Sequence, residues 1–379
     1  MSRSLCKQIT SFLAMELREK AEEMERSGAR VIHLSIGQPD FPTPECILDA
    51  ADKAARDGHT GYTHSLGIYP LREAIAAYYT TQYGVSLSPG RVVVTSGTSP
   101  AMLMLFAVLL EKGEKVLLPD PTYACYANHI LYAGAEPLSV PVAEADGFQL
   151  HVGALRQHMD GSVKAILVNS PSNPGGTIIP PADMRALTHF GPTLISDEIY
   201  HGLVYEGECP SALQFSEACC VLDGFSKRYA MTGWRLGWMV IPQDLVPDIQ
   251  RLQQNFFICP GSVAQWAGLA ALEFGAPHVA RMAEEYNRRR VILLEGLRKL
   301  GFGVASIPAG AFYILANAKH LGSDSLALAY DILEKSGVAL APGIDFGPGG
   351  EGYLRFSYAN SVENIEEAMH RLSRYLECC

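Results

Sequence analysis

The sequence alternates short β-branched runs with loops rich in Gly, Pro, Ser and Asn and with segments in which apolar residues recur at helical spacing. The β-branched runs lie at residues 92–95, 115–118, 164–169, 193–196 and 220–223. Such alternation is typical of βαβ units, in which a helix returns the chain to the start of the next parallel strand. The sequence therefore predicts an α/β fold with a mainly parallel central sheet and helices on both of its faces.

The two ends of the chain carry patterns that do not extend this alternation. Residues 9–27 have the apolar periodicity of a helix, and residues 31–36 that of a short strand. A long charged stretch at residues 278–300 predicts a single helix, and it leads to strand-like runs at residues 312–316 and 353–358. These elements predict a second, smaller unit of mixed helices and strands.

We therefore expect two domains with a boundary near residue 285. The large domain is predicted over residues 46–285 and contains the central sheet. The small α+β domain is predicted to combine residues 1–45 with residues 286–379, so that the N-terminal helix packs on the C-terminal unit.

Charge and composition restrict the class of protein. The chain has 30 Lys and Arg against 40 Asp and Glu, a formal net charge of -10, and no long basic run, so nucleic acid and anionic membranes are not expected as partners. Residues 1–10 lack the apolar core of a signal peptide, and the apolar run at 101–110 is too short to span a bilayer. The nine cysteines show neither metal-ligand spacing nor a disulfide pattern. We expect a cytoplasmic protein without a metal site.

In a parallel α/β sheet, ligands bind beyond the carboxyl ends of the strands, so the polar residues that follow each predicted strand are candidates for a site. After the run at 92–95, Ser99 can cap a helix and Pro100 suits its first position. The free amides of such a helix start form a phosphate site. Taken alone, this segment is better explained by an ordinary capped and buried helix.

Two further segments place polar residues at predicted strand ends. The run at 193–196 leads to Asp197, with Tyr200 one turn later, and Asn173 lies in a turn rich in Pro and Gly after the run at 164–169. A buried carboxylate can hold a protonated pyridine nitrogen, and a tyrosine hydroxyl or an amide can bind a ring oxygen. Helix capping and a plain turn remain simpler explanations for each segment alone.

The segment FSKRYAMTGWRLG at residues 225–237 indicates which ligand these candidate residues would bind. Most lysines are solvated surface charges, but Lys227 follows an apolar strand within a loop rich in Gly and aromatic residues, and Arg235 comes eight residues later. An amine that can form a Schiff base, beside a fixed cation for a phosphate dianion, is what pyridoxal 5′-phosphate (PLP) requires.

With these residues the sequence resembles the class I and II aminotransferases, the aspartate aminotransferase family of PLP-dependent enzymes. The resemblance covers essentially the whole chain. It rests on GQPDFPTP at 37–44, GYTHSLGIYPLREAIA at 61–76, PDPTYACY at 119–126, NPGG at 173–176, SDEIY at 196–200, the lysine segment, and GYLRFSYA at 352–359. It implies the PLP-dependent transferase fold and movement of an amino group from an L-amino acid to a 2-oxo acid.

The resemblance also implies a role for each matching residue. Lys227 is expected to bind PLP covalently and, with Asp197 and Tyr200, to form the catalytic set. The other expected cofactor-binding residues are Tyr123 against the ring, Asn173 at the ring oxygen, and Thr98, Ser99, Arg235 and a second subunit's Tyr62 at the phosphate. The expected substrate-binding residues are Gly37, Asn173 and Arg355, of which Arg355 grips the α-carboxylate through two hydrogen bonds.

The sequence departs from the family pattern three residues before the lysine. Many relatives have a phosphate-binding serine there, whereas this chain has Gly224. Either one phosphate hydrogen bond is missing, or Ser226 supplies it.

Several functions remain open at this level. A PLP-dependent C–S β-lyase or an enzyme of the aminocyclopropane-carboxylate synthase type would use the same residues. A DNA-binding regulator with an aminotransferase-like domain is disfavoured by the acidic charge and by the position of the first motif at Gly37.

Phe12 and Leu13 favour neutral or aromatic donors if they lie near the side-chain pocket, although core packing explains them as well. Aspartate- or alanine-type activity remains open. A homodimer is expected because Tyr62 would complete a neighbour's site.

Overall fold

The computed structural model describes residues 5–378, so the sequence-based interpretation of residues 1–4 and of Cys379 lies outside the described part of the chain. The α-helices are α1 (Leu13–Arg26), α2 (Glu45–Arg56), α3 (Tyr69–Tyr83), α4 (Thr98–Leu109), α5 (Cys125–Tyr132), α6 (Val152–Leu155), α7 (Pro181–Thr188), α8 (Val246–Phe256), α9 (Ser262–Phe274), α10 (Ala276–Lys299), α11 (Ser325–Ser336) and α12 (Val362–Glu377). The strands are β1 (Ile32–His33), β2 (Val92–Thr95), β3 (Lys115–Asp120), β4 (Glu136–Pro141), β5 (Val163–Asn169), β6 (Thr193–Asp197), β7 (Cys220–Gly224), β8 (Gly237–Val240), β9 (Tyr313–Asn317), β10 (Val338–Ala339), β11 (Ala341–Pro342) and β12 (Tyr353–Ser357).

The central sheet has seven strands in the order β2-β8-β7-β6-β5-β3-β4. Strands β4, β3, β5, β6 and β7 run parallel, and β8 is antiparallel to both of its neighbours, so β2 again points in the common direction. The prediction of a mainly parallel sheet is confirmed. The sequence patterns did not predict β4 at the edge or β8 within the sheet.

The sheet is covered by helices on both faces because its strands are apolar on both faces. In β2, Val92 and Val94 belong to a core shared with α2, α3 and α9, whereas Val93 belongs to a core shared with α4, α5 and α8. Side chains alternate between the two faces of a strand, so consecutive apolar residues are buried on opposite sides. This burial fixes the register of the sheet and, with it, the positions of the residues beyond the strand ends.

A second layer of structure packs around α10. Strands β11, β12 and β9 form an antiparallel sheet, and β1 pairs in parallel with β10. Leu17 and Ala21 of α1 lie in the same hydrophobic core as Leu293 of α10 and Leu372 of α12. The helix predicted at 278–300 is present as α10. Residue 285 lies inside it, and a domain boundary at this place stays a prediction.

Three local predictions need correction. Helix α1 begins at Leu13 rather than at residue 9, and only two residues of the stretch 31–36 pair as a strand. Helix α4 begins at Thr98, after a cap at Gly97 with φ of +100°, so Ser99 is not its cap. A glycine adopts this backbone conformation at little cost, which allows the turn from β2 into α4 to be tight.

Within residues 5–378, none of the helices combines the length and the apolar character needed to cross a bilayer. In the same part of the chain, no group of three or more His, Cys, Asp or Glu side chains is placed to hold a metal ion.

Candidate active site

The predicted site residues converge at the carboxyl edge of the central sheet. Eleven of them line one cavity of about 300 Å³: Gly37, Thr98, Ser99, Tyr123, Asn173, Asp197, Tyr200, Ser226, Lys227, Arg235 and Arg355. They follow the carboxyl ends of β2, β3, β5, β6 and β7, with Gly37 and Arg355 supplied by the second layer. Tyr62 is outside this cavity, and 84% of its surface is exposed.

Lys227 lies at the wall of the cavity, where its Nζ donates a hydrogen bond of 2.5 Å to the carbonyl oxygen of Gly37. Burial lowers the pKa of the Lys227 amine from 10.5 to about 8, and the charges of Arg355 and Arg235 contribute in the same direction. Asp197 opposes this shift. The amine is therefore neutral over a pH range in which an ordinary lysine is charged.

Asp197 ends β6 and is almost completely buried. Its carboxylate accepts a hydrogen bond of 2.7 Å from the Tyr126 hydroxyl and one of 3.1 Å from the backbone amide of Ile199. Asn169 donates to the Asp197 backbone oxygen at 2.9 Å and so holds the end of the strand. Burial raises the pKa of Asp197 to about 6, because a charged carboxylate is poorly solvated here, although the hydrogen bonds from Tyr126 and Ile199 and the charge of Lys227 act in the opposite direction. A cationic ligand group would favour its ionised form.

Arg235 and the start of α4 form a positively polarised corner of the cavity. The free amides at Thr98 and Ser99 are those of the first helical turn, where the helix dipole favours an anion. A Cβ at Gly97 would lie 2.7 Å from Arg235 Nη2, so glycine leaves room for the guanidinium beside the helix start. Arg235 makes no ion pair with a carboxylate of residues 5–378 and donates instead to the Thr232 carbonyl at 2.8 Å.

Aromatic residues form the remaining walls. The hydroxyls of Tyr200 and Tyr313 lie 2.9 Å apart, and a Cβ at Gly37 would lie 2.2 Å from the Tyr313 hydroxyl. Tyr123 contacts Tyr126 and Phe12 edge to face, with ring centroids 5.2 Å and 6.2 Å away. These contacts fix the planes of rings that could stack on a flat ligand.

Arg355 is a buried cation without a carboxylate partner among the described residues. Its guanidinium donates to the Asn173 side-chain oxygen at 2.8 Å and to the Ser35 carbonyl, while its Nε has no hydrogen-bond partner. The guanidinium also lies 4.3 Å from the Tyr313 ring centroid and 4.8 Å from that of Phe346. A buried charge is costly unless it is paired, so this arrangement is suited to an anionic ligand.

The glycine that replaces the family's serine lies inside the sheet. Gly224 in β7 pairs with Gly237 in β8, and a Cβ at position 224 would lie 3.1 Å from the Gly237 Cα and 3.2 Å from both Ile199 Cδ1 and the Leu236 carbonyl oxygen. A serine would therefore require these neighbours to shift by a few tenths of an ångström. Ser226 lines the cavity, and its binding of the phosphate stays a prediction.

Among the residues that contact the site residues, several were not predicted as part of the site, including Ser35, Tyr126, Asn169 and Tyr313. Tyr126 could have been found, since it follows Tyr123 by about one helical turn in the PDPTYACY segment. Tyr313 could not be predicted as a site residue, because it lies in an apolar run that is typical of a buried strand.

Comparison with known proteins agrees with this geometry. A model of the family described as aminotransferase class I and II matches residues 29–372. The (5-formylfuran-3-yl)methyl phosphate transaminase of Methanocaldococcus jannaschii is 39% identical over 374 residues, and the valine–pyruvate aminotransferase of Mycobacterium tuberculosis is 37% identical over 379 residues, in both cases over 97% of each chain. The solved structure of aspartate aminotransferase from Thermus thermophilus with maleate matches with a TM-score of 0.94 at 34% identity and covers 99% of both chains.

The fold is thus that of the aspartate aminotransferases, with a mainly parallel central sheet surrounded by helices. The chain belongs to the class I and II aminotransferase family. It is an aminotransferase, as the sequence motifs predicted.

Proposed function

We propose that this aminotransferase binds PLP covalently through Lys227 and transfers amino groups from neutral L-amino acids to 2-oxo acids. One observation carries the proposal. The Lys227 amine faces a cavity that also contains the buried Asp197 carboxylate and two arginines, Arg235 and Arg355, that have no carboxylate partner within the described part of the chain.

The donors and acceptors of the cavity fit the functional groups of PLP. Asp197 supplies a negative charge for a protonated ring nitrogen, and Arg235 with the start of α4 supplies hydrogen-bond donors for a phosphate dianion. Tyr200 and Asn173 can bind the ring oxygen, and Tyr123 can stack on the ring. When bound, the cofactor supplies an electron sink for the bond that breaks at the substrate Cα.

Lys227 is the proposed acid–base residue. The neutral amine can accept the proton from the substrate Cα, and the resulting ammonium can donate a proton to another atom of the reacting group. A pKa of about 8 suits both the acceptance and the donation near neutral pH. The hydrogen bond to the Gly37 carbonyl holds the amine at the cavity wall. The guanidinium of Arg355 would hold the substrate α-carboxylate and so direct Cα toward Lys227.

The apolar lining residues of the cavity support neutral donors. Phe12, Met15 and Ile36 line the cavity, and Lys227, Arg235 and Arg355 are the cationic lining residues among those described. Each of these cations has a proposed role, so none is left to bind a second carboxylate. The proteins named above differ in substrate, since one is named for a phosphorylated furan aldehyde, another for valine and pyruvate, and a third for aspartate, so their names do not choose the donor class.

The function is tested with a panel of amino donors against 2-oxoglutarate and pyruvate. We expect stoichiometric conversion of the 2-oxo acid into its amino acid, with apolar or aromatic donors preferred over aspartate. Release of pyruvate and ammonia from cystathionine without any added 2-oxo acid would instead identify a C–S β-lyase. A preference for aspartate would contradict the proposed donor class.

The proposal includes a homodimer in which Tyr62 enters the partner's phosphate site. The segment around Tyr62 packs against the loop after α8, since the Thr63 amide donates to the Cys259 sulfur at 3.3 Å. This region exposes 70% of Phe256 and 49% of Ile258 as well as Tyr62. Exposed apolar groups of this kind are typical of an interaction surface.

We also propose a cytoplasmic enzyme, supported by the absence of disulfides between described cysteines.

Tyr62→Phe tests this shared site. The loss of one hydrogen bond to a phosphate is expected to weaken PLP binding by about tenfold, because hydrogen bonds to charged groups contribute roughly 1.5–3 kcal/mol. The measurement is absorbance titration of the apo-protein with PLP, with the molecular mass followed by light scattering. Tyr69→Phe is the matched control, since Tyr69 is also exposed but is absent from the site. Equal PLP affinity in wild type and Tyr62→Phe would contradict the role of Tyr62.

The lowered pKa of Lys227 predicts the pH dependence of cofactor attachment. Only the neutral amine attacks an aldehyde, so the rate of covalent PLP attachment should rise with pH and level off above about 8 rather than above 10.5. The measurement is stopped-flow absorbance of apo-protein mixed with PLP. Nα-acetyllysine is the control and should level off near its ordinary pKa. A protein rate that still rises at pH 10 would contradict this environment for Lys227.

A further inference from the structure

The N-terminal turn of α1 is held by a residue more than 300 positions away. Phe12 is the residue that precedes the helix, and its side chain does not cap it. Instead, the Asp345 carboxylate accepts hydrogen bonds from the backbone amides of Leu13 at 2.9 Å and of Ala14 at 3.1 Å. A carboxylate at this place satisfies amides that have no partner within the helix and interacts favourably with the helix dipole.

This turn forms part of the cavity wall. Phe12, Ala14 and Met15 all line the cavity, and the Phe12 ring contacts Tyr123. Phe12 and Ala14 also belong to a small apolar cluster with Ala341 and Phe346. The position of Phe12 in the cavity therefore depends on the attachment of the turn to the segment Gly343–Phe346.

The same segment contacts the two other parts of the cavity that a substrate would meet. The Phe346 ring packs against the Arg355 guanidinium, with 4.8 Å between ring centroid and Cζ. The Phe346 carbonyl accepts a hydrogen bond of 2.9 Å from the amide of Thr122, the residue before Tyr123. Asp345 thus joins the Phe12 turn to a segment that is already fixed relative to Arg355 and Tyr123.

We propose that Asp345 is a positioning residue for donor selectivity, which acts by holding Phe12 against the side chain of the amino donor while Arg355 holds its α-carboxylate. The inference rests on the proposed function, because it assumes an amino acid bound by Arg355. A donor with a large apolar side chain would contact Phe12, whereas the methyl group of alanine would not extend that far. Removing Asp345 is therefore expected to affect large donors selectively.

The test compares Asp345→Ala with wild type as holoenzymes, using phenylalanine and alanine as donors. We expect the ratio of kcat/KM for phenylalanine to that for alanine to fall by about tenfold, through KM, because apolar contacts of the donor side chain are lost. In a Phe12→Ala background, Asp345→Ala should leave the ratio unchanged, since the two residues would act through one contact. Asp324→Ala is the matched control, because Asp324 caps α11 through the Ala327 amide at 2.8 Å and is not a cavity residue.

Hydrogen exchange gives a readout that does not depend on activity. The amides of Leu13 and Ala14 should exchange about fivefold faster in Asp345→Ala, the effect of losing a typical helix cap.

Three outcomes would overturn the inference: an unchanged ratio of kcat/KM between phenylalanine and alanine, an equal loss of kcat/KM for both donors, or an additive effect of Asp345→Ala in the Phe12→Ala background. If Asp345→Ala does not fold, Asp345→Asn retains one acceptor oxygen and replaces it in all comparisons. If wild type transaminates no donor, the proposed function fails, while unchanged exchange at the two amides is what would separately refute the positioning by Asp345.

Discussion

Replacing Lys227 with alanine is expected to reduce kcat by about 10⁴-fold or more, because the change removes both the covalent attachment of the cofactor and the acid–base group. The described residues that line the cavity offer no substitute amine, since the other cations among them are Arg235 and Arg355. Guanidinium groups stay protonated at any working pH and cannot accept the Cα proton. The measurement is single-turnover conversion of a donor, together with the absorbance of protein-bound PLP.

A control separates this effect from a general loss of lysine charge. Lys53 is largely exposed on α2 and pairs with Asp57, so Lys53→Ala should retain full activity. Because Asp197, Arg235 and the start of α4 are unchanged in Lys227→Ala, PLP should still bind without a covalent link. A Lys227→Ala variant with wild-type turnover would refute the proposed site.

Replacing Asp197 with asparagine is expected to lower kcat by about 100-fold or more, the size of effect seen when a fixed electrostatic group in an active site is removed. Asparagine has the same shape and can still accept the hydrogen bond from the Ile199 amide, but it cannot hold a proton on the ring nitrogen through its charge. The electron-withdrawing capacity of the ring should fall, whereas the phosphate contacts should not. We therefore expect a larger change in the rate of the donor half-reaction than in PLP affinity.

Asp120→Asn is the matched control for this substitution. Asp120 is also buried at the end of a parallel strand and accepts a backbone hydrogen bond of 3.0 Å from Gly349, but it does not line the cavity. A similar loss of activity in both variants would indicate general destabilisation and would contradict the special role of Asp197.

Much of the large sheet could be predicted because its strands are buried on both faces. Strand β2 has the predicted bounds, and β3, β5, β6 and β7 differ from the prediction by one or two residues at an end. Strand β4 was missed since it is a partly exposed edge strand that contains two prolines, and such a strand has no continuous apolar run. Strand β8 was missed because it begins at Gly237, the last residue of the lysine segment, which predicted a loop.

The site was predictable only as a set. Each motif had an ordinary structural explanation. The rule that parallel strands end at one edge brought the strand-end segments together, and the family resemblance added Gly37, Tyr62, Tyr123 and Arg355. Contacts between distant parts of the chain left no such signal. Ser35 supplies a backbone carbonyl to Arg355, a role that does not depend on residue type, and Asp345 reads as part of a loop sequence. Tyr62 remains a prediction because its proposed partner is a second subunit.

The uncompensated guanidinium of Arg355 has a practical consequence for the choice of solution. Acetate, formate and citrate each carry a carboxylate, which could pair with this guanidinium in the cavity of about 300 Å³. None of them has an amino group, so none can be a substrate. Such buffer anions should act as competitive inhibitors and should also raise the melting temperature, since a ligand that binds only the folded chain stabilises it. Apparent Michaelis constants for this enzyme will therefore depend on the anion that sets the pH.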